Sequence, residues 1–166
     1  MSTPTTIHHF IGGKHYPSST NQWRDVTNPA TQEVVARVPF ATRDEVELAV
    51  ANAHQAFQSW LSTSLGTRMR IMLKLQHLIR ENTAELAQLI TREHGKTLPD
   101  ARGDVQRGLE VIEVCMGTPA LLKGEYTGDA GPGIDLYSMR QPLGVVAGIT
   151  PFNFPAMIPL WKMGPA

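Results

Sequence analysis

A mixed α/β fold follows from three features of this chain. Between Thr42 and Met116, apolar residues recur at helical spacing in several successive segments. Short runs of strand-like composition, punctuated by Gly, Pro and Asn, lie before and after that block. Finally, Leu143 to Pro155, LGVVAGITPFNFP, reads as strand, turn and helix start, the unit from which parallel sheets are assembled.

In chain order, a polar tip leads into Ile7 to Ile11, a Gly12–Gly13 turn and Lys14 to Tyr16. This is a small hairpin, since paired glycines supply the positive φ angles of tight hairpin turns. His8, His9 and His15 fall here. Adjacent strand residues point to opposite faces and no third ligand is suitably spaced, so no metal is expected. Trp23 to Thr27, an Asn28–Pro29 turn, and Val34 to Pro39 continue the extended pattern.

Thr42-Arg43-Asp44-Glu45 is a capping box and opens the first helix. Val46, Ala49, Val50, Ala53, Phe57 and Trp60 share one face, which predicts a stripe packed into the core. A second helix is expected from Gly66 to Arg80, with Ile71, Met72, Leu75, Leu78 and Ile79 inward. Asn82 with Glu85 reads as a further N-terminal cap, followed by Leu86, Leu89 and Ile90 and ended by Gly95. Glu93, His94 and Lys96 contain the groups of an acid–base set. The cap chemistry favours a plain helix C-terminus, where positive side chains meet the negative end of the dipole. A helix after Pro99 is expected to bury Val105, Leu109, Ile112 and Met116. Cys115 lies beside that row with Glu110 and Glu113 as its nearest charges in sequence, so it reads as a structural thiol and not a nucleophile.

Glu125 to Thr127 and Ile134 to Met139 flank GDAGPG and predict a long-looped hairpin. Val145 to Ile149 then has the β-branched, apolar composition of a strand buried on both faces. Thr150 and Pro151 stop it, and Pro155 suits the first position of a helix through Ala156, Met157, Ile158, Leu160 and Trp161. Phe152, Asn153 and Phe154 are left in a loop at the carboxyl end of a strand, where open α/β sheets hold ligands. Two readings of Asn153 stand side by side. Its amide is a hydrogen-bond donor in an apolar frame, or it caps the turn through its own backbone.

Composition narrows the function. Lys+Arg and Asp+Glu are both 15, and 42% of the residues are hydrophobic. That balance gives no basic excess for nucleic acid or an anionic membrane surface. No apolar run is long enough to span a bilayer, and MSTPTTIHHF lacks the features of a signal peptide, so a cytoplasmic location is expected. A single cysteine fits a reducing compartment.

The strings FIGGKHY, NPATQEVVARVPFAT, EHGKT, LLKGEYTGDAGPGIDLYSMRQPLG and ITPFNFPAMIPLWKMGPA together resemble the aldehyde dehydrogenase superfamily over nearly the whole chain. PFNFP marks the superfamily. FNFPAMIPLW points to its CoA-acylating branch acting on methylmalonate and malonate semialdehydes. The resemblance implies an N-terminal extended and helical part over 1–121, a subunit-pairing hairpin over 122–142, and the first strand, loop and helix start of a Rossmann-like NAD-binding sheet over 143–166.

By that resemblance the chain is the N-terminal portion of an enzyme. The enzyme would use NAD and coenzyme A to convert methylmalonate semialdehyde to propionyl-CoA, or malonate semialdehyde to acetyl-CoA, with loss of carbon dioxide. Valine and inositol catabolism and a homotetramer are implied too. Asn153 would donate to the reacting oxygen, Thr150 and Phe152 would contact the cofactor near its nicotinamide, and Phe154 and Pro155 would shape the loop. The family's catalytic cysteine finds no match here, so the chain by itself is expected to be inactive. No G-x-G-x-x-G is present, since Gly144 and Gly148 lie before and inside the expected strand, so NAD enters through the resemblance alone. The alternatives are a non-catalytic assembly module or another aldehyde dehydrogenase branch.

Overall fold

The extended pieces at the front of the chain pair much as their composition predicts. A computed structural model describes residues 4–166, so the first three residues of the polar tip lie outside the described residues. β1 (Thr5–Thr6) runs parallel to β5 (Val34–Pro39), and β4 (Trp23–Thr27) pairs antiparallel with β5, giving the order β1-β5-β4. β2 (His9–Ile11) and β3 (Lys14–Tyr16) form the expected hairpin, with Gly12 at φ 60° and Gly13 at φ 77°.

α1 (Arg43–Leu61) opens on the predicted capping box, with the Thr42 hydroxyl accepting from the Glu45 N–H and the Glu45 carboxylate accepting from the Thr42 N–H. That carboxylate is buried and also accepts from the Ser18 hydroxyl and from the Ser19 N–H at 2.8 Å. Hydrogen bonds from the Thr42 and Ser19 N–H groups hold its pKa down at about 2. The apolar stripe of α1 does not pack into a core. Val46 and Val50 are about half exposed, and Trp60 is exposed too. Ala49 and Phe57 are half-buried and Arg68 lies over the Trp60 ring, but no residue of the stripe is buried among the described residues.

The core lies elsewhere, where α2 (Leu65–Glu81), α3 (Thr83–His94) and α4 (Leu98–Cys115) meet. Ile79, Ala87, Ile90, Ala101, Val105, Leu109 and Ile112 are buried together, with Met72, Leu75 and Leu86 packed against them. Ile71, Leu78 and Leu89, expected inward, are exposed. On their helices they lie to one side of the residues that enter the buried cluster. Met116, expected in the buried row, follows the end of α4 and is half-buried.

Asn82 does not cap α3. Its backbone is not extended, and its side-chain amide donates back to the Leu78 carbonyl of α2 at 2.7 Å. Gly95 ends α3 at φ 79° as expected, close under the 28–30 turn, where a Cβ would stand 3.0 Å from Pro29 Cγ. α4 starts one residue before Pro99, capped by the Thr97 hydroxyl.

After a short helix α5 (Thr118–Leu121), β6 (Tyr126–Gly131) and β7 (Ile134–Tyr137) form the predicted hairpin. Its loop is tighter than expected. The glycine-rich stretch stays in β6 as a bulge, with Asp129 at φ 52° and the chain turning at Pro132–Gly133. The expected strand at 145–149 is not formed. These residues are irregular, with a bend at Val145 and no strand beside them among those described, and Val146 and Ile149 are exposed. A strand requires a hydrogen-bonded neighbour, and composition alone does not supply one. α6 (Met157–Met163) begins two residues beyond Pro155, so it is Pro159 that occupies its first turn.

Candidate functional site

The loop from Thr150 to Ala156 contains two prolines, so two of its residues have no N–H and its shape depends on contacts from outside. α4 supplies the central one. Ala101, Val105, Leu109 and Ile112 line its buried face, and Asp104 shares that face with no exposed surface at all. Both carboxylate oxygens are used. Oδ1 accepts from the Met157 N–H at 2.7 Å, which is the first N–H of α6, and Oδ2 lies 3.1 Å from Lys96 Nζ. A carboxylate at a helix N-terminus satisfies a donor that the helix itself cannot.

Lys96 extends the connection into the loop. Its side chain is only 11% exposed, and its ammonium also donates to the Asn153 carbonyl at 3.0 Å and lies 4.6 Å from the centre of the Phe154 ring. His94, at the end of α3, packs its ring 5.6 Å from that of Phe152. The REHGKT segment is therefore a helix terminus, as its cap chemistry predicts, and also the support of the loop. Further along, Trp161 Nε1–H donates to the Arg107 carbonyl and Lys162 Nζ to the Ile149 carbonyl, holding α6 and the preceding chain in place. Leu160 and Met157 lie so close over Gly108 that a Cβ there would meet Leu160 Cδ1 at 2.6 Å.

The three residues singled out in sequence share this loop. Thr150 and Phe152 are exposed at its start. Asn153 is exposed, and among the described residues no hydrogen bond engages its side-chain amide; only its carbonyl is held. The self-capping alternative thus has no side-chain bond to support it. Cys115 is distant in role: it is buried, packs near Gly164, and burial pushes its thiol pKa up. His9 and His15, considered for metal, face the Glu45 carboxylate and the Phe10 ring respectively. A shallow concavity of about 450 Å³ between Ser19–Gln22 and Phe40–Thr42 contains no residue of the loop.

Sequence reasoning missed Asp104 and its link to Lys96. The signal was present, because an acid in register with Ala101, Gly108 and Ile112 on a core-facing helix requires a buried partner.

A family model described as the aldehyde dehydrogenase family matches residues 15–166. The chain belongs to the aldehyde dehydrogenase family. Among curated family members, it is 53% identical over 95% of its length to a methylmalonate-semialdehyde dehydrogenase (acylating, mitochondrial) of Arabidopsis thaliana. It is 51% identical over 96% of its length to the methylmalonate-semialdehyde/malonate-semialdehyde dehydrogenase (acylating, mitochondrial) of Homo sapiens. It spans 26% and 30% of those two proteins.

Solved aldehyde dehydrogenase structures agree. A methylmalonate-semialdehyde dehydrogenase of Oceanimonas doudoroffii superposes with a TM-score of 0.90 at 45% identity, over 95% of this chain and 32% of that one. A structure from Sinorhizobium meliloti 1021, assigned to the same activity and complexed with NAD, gives 0.93 at 46% identity, over 97% of this chain and 33% of that one. The aldehyde dehydrogenase relatives named from Arabidopsis and human are mitochondrial, not cytoplasmic. Among the described residues no helix is long and apolar enough to cross a membrane.

Proposed function

We propose that this chain supplies the oxyanion-binding loop of an NAD-dependent, CoA-acylating dehydrogenase for methylmalonate or malonate semialdehyde. The observation that carries the reading is the state of Asn153: its backbone is held by Lys96 while its amide remains open to a ligand. When a thiolate adds to an aldehyde carbonyl, the oxygen takes on negative charge, and a donor already in place stabilises it without reorganisation. The thiolate comes from a residue other than Cys115, whose burial and raised pKa oppose that role.

The exposed Phe152 ring and the Thr150 hydroxyl give a flat apolar face with a polar edge, which suits the nicotinamide end of NAD. Bound there, NAD would accept the hydride. The acyl group then passes to coenzyme A, as the word acylating in the relatives' names suggests. The open hairpin β6–β7 and the exposed face of α1 support a second role in subunit pairing, since a lone hairpin is marginal in water. A lone cysteine suits either cytoplasm or mitochondrial matrix, both of them reducing.

The test uses the protein at the length its native source makes. NADH formation is expected to require both a semialdehyde and coenzyme A. Asn153→Ala is expected to lower turnover on the order of a hundredfold or more. Absence of NADH formation in the parent, or unchanged turnover in the variant when acylation limits the rate, would overturn the assignment.

A further inference from the structure

We propose that Lys96, itself oriented by the buried Asp104, is a positioning residue for the oxyanion loop. This rests on reading Asn153 as the donor. Pro151 and Pro155 leave only Phe152, Asn153 and Phe154 with N–H groups between them, so the loop cannot set its own geometry through a backbone ladder. Two outside contacts take that part. Asp104 Oδ1 receives the Met157 N–H just after the loop, and Asp104 Oδ2 holds the Lys96 ammonium, which donates to the Asn153 carbonyl within it.

A lysine acting only as counter-ion to Asp104 would have no need of that second acceptor or of the Phe154 ring beneath it. Because the Asn153 carbonyl and side chain branch from the same Cα, holding the peptide plane after Asn153, together with the proline-restricted backbone on either side, narrows the directions in which its amide can leave the backbone. Lys96 therefore reaches the reacting oxygen through Asn153 without touching it. One carboxylate sets both ends of the segment, so loop and helix start keep a constant separation.

The experiment is a double-mutant cycle on the protein at the length its native source makes, with Lys96→Met, Asn153→Ala and the pair, each confirmed folded by thermal unfolding. Displacing a reacting group by about an ångström costs on the order of a hundredfold, so Lys96→Met is expected to lower kcat ten- to a hundredfold. KM for NAD should change far less. Combined with Asn153→Ala it should add almost nothing, because the group it positions is already gone.

If Asn153→Ala itself leaves turnover unchanged, the functional reading fails. If Asn153→Ala is impaired but folded Lys96→Met keeps its kcat, or if the two losses multiply, the positioning proposal fails while the functional reading stands. Should Lys96→Met not fold, Lys96→Arg retains the charge beside Asp104 while displacing the donors, and is judged by the same coupling to Asn153.

Discussion

Gly103 and Gly108 both lie within α4, yet alanine should stabilise the fold at the first position and not at the second. Replacing glycine by alanine inside a helix contributes about 0.8–1 kcal/mol in either place, through the backbone entropy of the unfolded chain and helix propensity. At Gly103 a Cβ meets nothing within 4 Å, so Gly103→Ala should stabilise by roughly that amount. At Gly108 it would stand 2.6 Å from Leu160 Cδ1, 3.2 Å from Met157 Cα and 3.3 Å from Leu160 Cβ. The leucine methyl can rotate away. The Met157 backbone cannot retreat without disturbing the bond from its N–H to Asp104.

Overpacking of this kind costs about 1–3 kcal/mol, which offsets or exceeds the helix gain. Since the propensity contribution is common to both variants, their difference isolates the contact cost, about 1–3 kcal/mol. For a chain of this size each kcal/mol corresponds to about 2–4 °C, so the two Tm values should separate by about 2–12 °C. Urea and thermal unfolding followed by circular dichroism provide the comparison. If Gly108→Ala were stabilised as much as Gly103→Ala, the close approach of α4 and α6 would be refuted, and the support of the loop with it.

Acid stability should report on Glu45. Its folded pKa is depressed from 4.5 to about 2, so its stabilising contribution is fully present above pH 4.5 and is lost as pH falls towards 2. The urea midpoints of parent and Glu45→Gln should therefore converge across that window, whereas parallel curves would show that the Thr42 and Ser19 hydrogen bonds do not favour the ionised form. Cys115 should react slowly with an aromatic disulfide reagent in the native protein and at once in denaturant, given its burial and raised pKa. Rapid native labelling would contradict the packing around it.

Local chemistry was legible in the sequence wherever the partner groups lie close along the chain. The Thr42 box, the Gly12–Gly13 turn, the Gly95 terminus and the spans of Trp23–Thr27 and Val34–Pro39 all reappear in the structure. Asn82 shows the limit of such reasoning, because its amide had two acceptable local partners and took the Leu78 carbonyl.

Burial was less legible because it depends on what lies opposite. The stripe of α1 and the run 145–149 have sound interior composition, but composition does not identify a covering surface. The PFNFP loop was visible as a stretch, and its support was not. Lys96 and Asn153 are far apart in sequence and meet only through the packing of α3, α4 and α6.

The support of the loop has a further consequence for how this region can tolerate change. Every anchor of the loop comes from the segment before Leu121 or from α6 itself, while the side chains of the β6–β7 hairpin are almost all exposed and leave the anchors untouched. From Leu122 to Ala147 the chain is a tether between two bodies already joined by contact. A nick at the exposed hairpin tip would leave the anchors of Asn153 in place, whereas the hairpin's own sequence stays tied to the pairing role proposed for it. Asp104 and Lys96 have no such latitude.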